Sequence, residues 1–177
     1  MCGIYGFAGF QEEGLLGKMG RVLRHRGPDG EGSFVARART PFAMGMQRLS
    51  IIDLERGQQP MFSEDETVAV VQNGEIYNYV ELREELKARG HAFKTHSDTE
   101  VLVHGFEEWG LEGLLHRLNG MFAFCVYDAK TQEFWLARDR CGQKPLYYCQ
   151  QGGRFLFASE AKALLQSAKR NRPPCWQ

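Results

Sequence analysis

Residues 121–158 read MFAFCVYDAKTQEFWLARDRCGQKPLYYCQQGGRFLFA, and this stretch decides the fold class. Its runs of aliphatic and aromatic residues predict strands at residues 121–127, 133–139, 146–149 and 154–158. The connections are short, and Gly152-Gly153 is typical of a tight last turn. Because parallel strands need a crossover of about a dozen residues or more, strands joined this closely pair antiparallel. The stretch therefore predicts an antiparallel sheet.

Upstream of this sheet the apolar residues change to the spacing of helices. Residues 78–89 predict a helix with Asn78 as its N-cap. Ser97-Asp98-Thr99-Glu100 is a capping-box pattern ahead of an apolar helix that carries Trp109. Further helices are expected at residues 15–23, 111–118 and 159–167.

The N-terminal part adds strands, which we expect at residues 2–10, 33–37, 42–52 and 67–72. The last of these strands should stop at Asn73-Gly74, because this dipeptide is a strong hairpin-turn signal. Helices that pack on antiparallel sheets make an α+β protein. The sequence as a whole therefore predicts the α+β class.

Composition excludes several partners. The 177 residues carry 22 basic and 22 acidic side chains, so the formal net charge is zero. This balance gives no electrostatic reason to expect nucleic acid as a partner, and no apolar run approaches the roughly 20 residues that span a membrane. We expect one domain over residues 1–167, followed by a tail or truncated linker at 168–177, AKRNRPPCWQ.

The cysteines and histidines give no sign of a metal or a disulfide framework. Five cysteines are an odd number, none forms a C-x-x-C pair, and no export signal precedes them. These features favour a reduced, cytoplasmic compartment. Five histidines are scattered without the spacing of ligands, and H-E-x-x-H is absent, so we expect no metal site.

Cys2 is the strongest candidate nucleophile. Removal of Met1 would leave a thiol and a free α-amine on one residue. Model α-amines have a pKa of about 7.7–8.0, so roughly a third are unprotonated at pH 7.5 and can accept a proton. Such an amine can activate a neighbouring thiol as its base. A small buried residue in the first strand is the alternative interpretation of Cys2.

Three later positions are candidates for binding a substrate. Asn73-Gly74 offers a side-chain amide and a backbone N–H that could hold an oxyanion, or it is a plain hairpin turn. Arg48 lies in an apolar strand, where a guanidinium needs a partner such as a carboxylate. Asp98 could be an ordinary first-turn carboxylate at a helix N-terminus.

The residues around these candidates resemble one enzyme family. Cys2-Gly3-Ile4-Tyr5-Gly6 resembles the opening of class II glutamine amidotransferases, which are N-terminal-nucleophile hydrolases. Other motifs are similar to the glutaminase half of glutamine-hydrolysing asparagine synthetases: RHRGPD at 24–29, QRLSIID at 47–53, NGEIYNY at 73–79, SDTEV at 97–101, RDRCGQKPLYY at 138–148 and FASE at 157–160. The resemblance covers about residues 2–165.

The resemblance implies a fold, a reaction and a set of site residues. The fold would be a four-layer αββα sandwich of antiparallel sheets. Cys2 would attack the side-chain amide of L-glutamine with its own α-amine as base, and Asn73 and Gly74 would form the oxyanion hole. Arg48 would pair with the α-carboxylate of glutamine and Asp98 with its α-ammonium. The remaining residues of the glutamine pocket would be Leu49, Ser50, Ile51, Ile52 and Glu75.

The sequence also departs from that family. Its members continue into a synthetase domain that activates aspartate with ATP through a Ser-Gly-Gly-x-Asp-Ser loop, and no such loop occurs here. We therefore expect a glutaminase half without its synthetase, with ATP and Mg²⁺ needed only by that absent domain or subunit. A homodimer is compatible with the sequence. The alternatives are the glutaminase domain of another amidotransferase branch and a non-catalytic module that binds glutamine.

Overall fold

The structure is a computed structural model, and it describes residues 1–36 and 39–167. The strands of this part are β1 (Gly3–Ala8), β2 (Gly30–Val35), β3 (Phe42–Arg48), β4 (Met61–Phe62), β5 (Val68–Ile76), β6 (Gly120–Asp128), β7 (Glu133–Arg138), β8 (Tyr147–Gln151) and β9 (Arg154–Ala158). The helices are α1 (Leu15–Leu23), α2 (Tyr79–Ala88), α3 (Glu100–Arg117) and α4 (Ala161–Leu164). A short 3-10 helix at Arg24–Arg26 follows α1 directly. The predicted tail at residues 168–177 lies outside the described residues.

The strands form two antiparallel sheets. The first has the order β2-β3-β1-β9-β8 and the second the order β4-β5-β6-β7. β1 lies in the middle of the first sheet, paired with β3 from Gly3↔Gln47 and with β9 from Tyr5↔Ala158. All of β1 is buried, so the chain enters the interior directly after Cys2, which is itself partly buried. The hairpins predicted downstream of residue 120 are confirmed.

The two sheets and the helices form four layers. Between the sheets lies an apolar cluster built around Ile4, Met44, Val71, Cys125 and Phe157. The other face of the first sheet packs against α1 and α4, and the other face of the second sheet packs against α2 and α3. This arrangement confirms the predicted α+β class and the αββα sandwich, because each sheet covers the other on one face and is covered by helices on the opposite face.

The predicted hairpin turn at Asn73-Gly74 is wrong. β5 runs through both residues to Ile76, and β6 pairs with it along the whole length. A Cβ at position 74 would overlap the carbonyl oxygen of Met121, so glycine is required here by the close approach of β6 rather than by a turn. The Asn73-Gly74 dipeptide does not form the predicted turn because long-range strand pairing outweighs a local turn preference.

Other boundaries differ from the prediction at strand and helix ends. β3 ends at Arg48 instead of continuing to residue 52, and the residues after it form a loop. β2 begins at Gly30, earlier than expected, and α4 has only 4 residues. Helix α3 covers both helices predicted between residues 100 and 118, with a break at Gly110, whose φ of 66° is left-handed. The boundary predicted between the two helices therefore corresponds to the break at Gly110.

Neither of the two predicted helix caps forms the side-chain hydrogen bond that its sequence pattern predicts. Asn78 stands at the N-cap of α2 without a side-chain cap, since its side chain bonds instead to the backbone of Arg117 and Asn119. Glu100 does not form a capping box, because its carboxylate accepts hydrogen bonds from the backbone of Lys94 and Thr95. Asn78 therefore ties the start of α2 to the distant end of α3, whereas Glu100 ties the start of α3 to the segment just before it.

Candidate active site

Cys2 is held at the entrance to β1. Its sulfur accepts a hydrogen bond from the Leu49 N–H at 3.4 Å and lies 3.6 Å from the Leu49 carbonyl oxygen. The Cys2 carbonyl oxygen accepts from Arg26 Nε at 2.9 Å, and Arg26 Nη1 is in turn paired with Glu160 Oε1 at 2.9 Å. The thiol is partly buried. Contacts from the 3-10 helix and from the loop after β3 therefore fix the position of the candidate nucleophile.

His25, next to Arg26, does not reach the cysteine. Its Nε2 lies 2.9 Å from Glu160 Oε1, on an exposed part of the surface. Burial alone would raise the pKa of Glu160, but hydrogen bonds from Arg26, Lys162 and His25 outweigh it and lower the pKa to about 2. This carboxylate is therefore an anion at neutral pH and an anchor for Arg26.

Met1 precedes Cys2 and lies beside the same cavity. The residue is 58% exposed, and its sulfur lies 3.5 Å from Lys144 Nζ. While Met1 is present, the nitrogen of Cys2 is a peptide amide and has no useful basicity. The proposed base thus exists only once Met1 has been removed.

The backbone N–H of Gly74 points away from the neighbouring strand. Gly74 pairs with Phe122 of β6. The carbonyl oxygen of Phe122 accepts a hydrogen bond from the Asp139 N–H at 2.8 Å, and the Phe122 N–H donates to Asp139 Oδ2 at 3.2 Å. Both backbone groups of Phe122 therefore point away from β5. In an antiparallel ladder the hydrogen-bonded and non-bonded pairs alternate, so the Gly74 N–H faces the open edge of β5.

The N–H groups on either side of Gly74 along this edge are already bonded. Gln72 donates its N–H to Gln59 Oε1 at 2.7 Å, and Ile76 donates its N–H to Asp98 Oδ2 at 2.9 Å. Gly74 lies between these two anchored positions. Its donor is consequently held in place by the strand and directed to the edge where the cavity lies.

Asn73 supplies a second donor beside Gly74. The residue is buried, and its side-chain Nδ2 has no hydrogen-bond partner within the part of the chain that the structure describes. A buried donor left unsatisfied costs about 1–3 kcal/mol. A ligand oxygen in the cavity would remove that cost. The two groups predicted as an oxyanion hole are therefore adjacent, although they belong to a strand and not to a turn.

Asp98 is a buried carboxylate at the start of α3. It is 6% exposed, and besides the Ile76 N–H its Oδ2 accepts Gln72 Nε2 at 3.3 Å. Burial raises the pKa of Asp98, and although the hydrogen bonds from Ile76 and Gln72 lower it, the charge of Glu75 adds to the rise. A cationic ligand group beside Asp98 would favour its charged form.

Arg48 finds backbone carbonyl partners. Its guanidinium donates to the carbonyl oxygens of Ile52 at 3.2 Å, Asp53 at 2.7 Å and Leu54 at 3.2 Å. The loop after β3 thus wraps around the Arg48 guanidinium, which fixes the conformation of the loop. These three bonds use three of the five N–H donors that a guanidinium carries, which leaves donors for a carboxylate.

These candidates line one cavity of about 150 Å³. That volume equals the liquid share of about five waters, which suits a ligand of amino-acid size. The predicted residues at this cavity are Cys2, Arg48, Leu49, Ile51, Ile52, Asn73, Gly74, Glu75 and Asp98. Ser50, also predicted, does not line it, and its N–H donates to Asp29 Oδ2 at 2.8 Å. Acidic and basic side chains both face the cavity, as a zwitterionic ligand requires.

Several lining residues were not predicted. Gln59 bridges the loop and β5, because its side chain accepts the Gln72 N–H and donates to Thr99 Oγ1 at 3.1 Å. Lys144 is buried and brings a second cation to the wall. Lys144 belongs to the family motif at 138–148, and this motif was the sequence feature that could have indicated Lys144 as a site residue. Gln59 lies outside every motif, and the sequence carried no signal for it.

The other described cysteines do not lie at this cavity. Cys125 is buried between the sheets, and burial raises the pKa of its thiol well above the usual value. Cys141 is exposed and Cys149 packs near the outer helices of the first sheet. None of these three residues lines the cavity, so Cys2 is the thiol that the described structure places there.

Solved structures share this fold. The chain superimposes on the glutamine phosphoribosylpyrophosphate amidotransferase of Bacillus subtilis with a TM-score of 0.75 and 26% identity, covering 92% of this chain and 43% of that one. The allosteric regulatory enzyme of purine biosynthesis matches with a TM-score of 0.76 at 24% identity, which shows the fold alone. The sandwich is that of the N-terminal-nucleophile hydrolases.

Within that class, the family follows from the sequence comparisons. The family model described as "Glutamine amidotransferase domain" matches residues 1–173, and the chain belongs to this family. It is 43% identical to asparagine synthetase [glutamine-hydrolyzing] 3 of Bacillus subtilis over 172 residues, covering 93% of this chain and 27% of that protein. A probable asparagine synthetase of Dictyostelium discoideum is 42% identical over 180 residues, covering 98% of this chain and 32% of that protein.

The chain therefore spans about a third or less of the length of these relatives. Within residues 1–36 and 39–167, no helix combines the length and the apolar character needed to cross a membrane.

Proposed function

We propose that this chain hydrolyses the side-chain amide of L-glutamine to glutamate and ammonia. The observation that carries the proposal is the meeting of Cys2 with the donors of Asn73 and Gly74 at one cavity, which also contains Arg48 and Asp98. A nucleophile beside two donors suits acyl transfer, because the donors stabilise the oxyanion that forms when the carbonyl is attacked.

The reaction begins with attack of the Cys2 sulfur on the amide carbon, after removal of Met1. The thiol proton passes to the α-amine of Cys2, and the carbonyl oxygen becomes an oxyanion between Asn73 Nδ2 and the Gly74 N–H. The resulting ammonium returns the proton to the leaving nitrogen, which departs as ammonia and leaves a thioester. Water, deprotonated by the same amine, then attacks the thioester and releases glutamate and the thiol.

The charged groups of the cavity recognise the amino-acid part of the substrate. Arg48 binds the α-carboxylate with the donors that the loop carbonyls do not use, and Asp98 binds the α-ammonium. Leu49, Ile51, Ile52 and Glu75 enclose the substrate, while Ser50 holds the loop through Asp29.

The ammonia serves an ATP-dependent synthetase domain or subunit. The relatives named as glutamine-hydrolysing asparagine synthetases support asparagine as the product, formed by an ATP-dependent domain or subunit. ATP and Mg²⁺ belong to that part, and the glutaminase step needs no cofactor. We place the protein in the cytoplasm, in line with its cysteine usage.

The test is to incubate the purified chain with L-glutamine and no ATP, and to measure glutamate and ammonia. Equal amounts of both products, formed with saturating kinetics, are expected. Glutamine binding without either product would contradict catalysis and favour a non-catalytic module. Adding aspartate, ATP and a separate synthetase subunit of the asparagine type tests the acceptor, since asparagine should then form.

Asp98→Asn should raise the KM for glutamine by roughly ten- to a hundredfold, with a smaller effect on kcat. The amide oxygen keeps the hydrogen bond from Ile76, but the charge that faces the α-ammonium is lost, and a charge-assisted bond is worth about 1.5–3 kcal/mol. Steady-state kinetics measure the change. A substrate analogue without the α-amine is the control, and equal losses on both substrates would indicate a folding role instead.

Asn73→Ala should lower kcat by about 10²–10³, with KM nearly unchanged. One donor to the oxyanion disappears, and that donor acts mainly in the transition state. The matched control is Asn119→Ala, an exposed asparagine outside the cavity, which should keep full activity. A rate for Asn73→Ala within a few-fold of the unmodified chain would remove Asn73 from the mechanism.

A further inference from the structure

A second group of potential metal-ligating side chains lies in the outer helical layer, outside the cavity of Cys2. Glu64 comes from the loop between β4 and β5, His91 from the segment after α2, and His104 and Glu107 from one face of α3. One potential ligand atom from each residue lies within 4.8 Å of the others. Three segments distant in sequence therefore bring two imidazoles and two carboxylates to one point.

His104 is the centre of this group, and its ring nitrogens have carboxylate neighbours but no hydrogen bond of good geometry. It is 1% exposed, and neither ring nitrogen has a hydrogen-bond partner among the residues that the structure describes. The ring packs against Phe93, with centroids 4.5 Å apart, and against His91, with centroids 5.1 Å apart. A buried polar ring without a well-formed hydrogen bond is costly, so a ligand bound between the ring and its carboxylate neighbours would explain its burial.

The spacing of the atoms around His104 suits a metal ion. Its Nδ1 lies 3.4 Å from Glu107 Oε2 and 3.6 Å from Glu64 Oε2, without hydrogen-bond geometry. Zinc binds imidazole nitrogen and carboxylate oxygen at about 2.0–2.2 Å, so tetrahedral ligand atoms lie about 3.4 Å apart. The observed separations leave room for an ion between these atoms.

Outer carboxylates support both imidazoles. The other nitrogen of His104, Nε2, faces Glu100 Oε1 at 3.7 Å, and His91 Nε2 lies 3.3 Å from Glu108 Oε2. Metal-binding histidines commonly direct one ring nitrogen to the ion and the other to a carboxylate, which orients the ring. Glu100 is itself fixed by the backbone of residues 94 and 95.

The charges in this region also favour a cation. The carboxylates of Glu64 and Glu107, when ionised, place two negative charges close together. A divalent ion would neutralise them.

We propose that Glu64, His91, His104 and Glu107 bind one divalent transition-metal ion of the zinc type, with a structural role. Two nitrogen and two oxygen ligands suit zinc and disfavour magnesium, which keeps an octahedral shell of oxygen ligands. With four protein ligands no position remains for a substrate. The ion joins the loops at Glu64 and His91 to the first half of α3, the helix that follows Asp98.

The test is zinc binding by the tag-free chain after chelator treatment, followed by calorimetry and by metal analysis of the dialysed protein. Prior alkylation of accessible thiols prevents binding by cysteines. We expect one zinc per chain, a rise of the thermal midpoint with zinc, no saturable binding of magnesium, and the visible spectrum of tetrahedral cobalt when Co²⁺ replaces zinc.

Variants locate the ion. His91→Gln and Glu107→Gln remove ligands at positions less buried than His104, and each should weaken zinc binding by on the order of a hundredfold. Glu112→Gln is the matched control on α3, because its side chain is 93% exposed and outside the group, and its affinity should be unchanged. Circular dichroism checks that each variant is folded. The proposal is overturned if the unmodified chain binds no zinc saturably, or if either ligand variant binds it as tightly as the control.

Discussion

Cys2→Ala abolishes ammonia release from glutamine, with an expected loss of about 10⁴-fold or more in kcat. The reason is that the thioester cannot form without the sulfur, and removal of a nucleophile costs several orders of magnitude where it has been measured. The fold should survive, because Cys2 is small and precedes β1, and within the described residues its sulfur bonds only to the backbone of Leu49. Ammonia and glutamate are measured by coupled assay.

The control for this experiment is Cys141→Ala. Cys141 is an exposed thiol outside the cavity, so its replacement should leave the rate unchanged. Circular dichroism and the binding of glutamine to Cys2→Ala show whether the site is still formed. Ammonia release by Cys2→Ala at the rate of the unmodified chain would disprove the mechanism.

Blocking the α-amine of Cys2 should lower the glutaminase rate almost as much as Cys2→Ala does, although the thiol remains. Retained Met1, an acetyl group or an uncleaved N-terminal tag each converts the amine into an amide, which cannot accept the thiol proton. Met1 also lines the cavity, so retained residues place bulk where the substrate must lie. Glutaminase rates of blocked and free chains are compared, with intact mass to establish the state of residue 1.

The same tag at the C-terminus is the control, since residues 168–177 correspond to no residue of the proposed mechanism. That form should be fully active, and cleavage that makes Cys2 the first residue should restore the blocked form. Full activity of the blocked chain would exclude the α-amine as base. His25 would be a poor replacement, because its Nε2 is directed to Glu160 and the residue does not line the cavity.

Much of the architecture could be predicted from local patterns. Short connections between apolar runs after residue 120 predicted antiparallel pairing, and the αββα sandwich implied by the family motifs is present. The break of α3 at Gly110 was predictable as a boundary between two helices. The antiparallel pairing and the helix boundary depend on residues close together in the chain, whereas the sandwich was implied only by the family resemblance.

The site was predicted only in part. The motifs pointed to Cys2, Arg48, Asn73, Gly74 and Asp98, and the structure brings these five residues to one cavity. Their roles stay predictions, and the turn expected at Asn73-Gly74 is wrong. The direction of the Gly74 N–H depends on the register between β5 and β6, which residues 73 and 74 alone cannot specify.

By itself, then, the sequence determined the α+β class, the family motifs and the candidate nucleophile. The tertiary structure alone decided that Asn73 and Gly74 lie within a strand and that Arg48 holds a loop through its carbonyls. It also decided that His91 and His104, which have no ligand spacing in the sequence, meet Glu64 and Glu107. The physical reason is that packing of the helices on the second sheet sets distances between segments far apart in the chain, whereas sequence patterns record only local preferences.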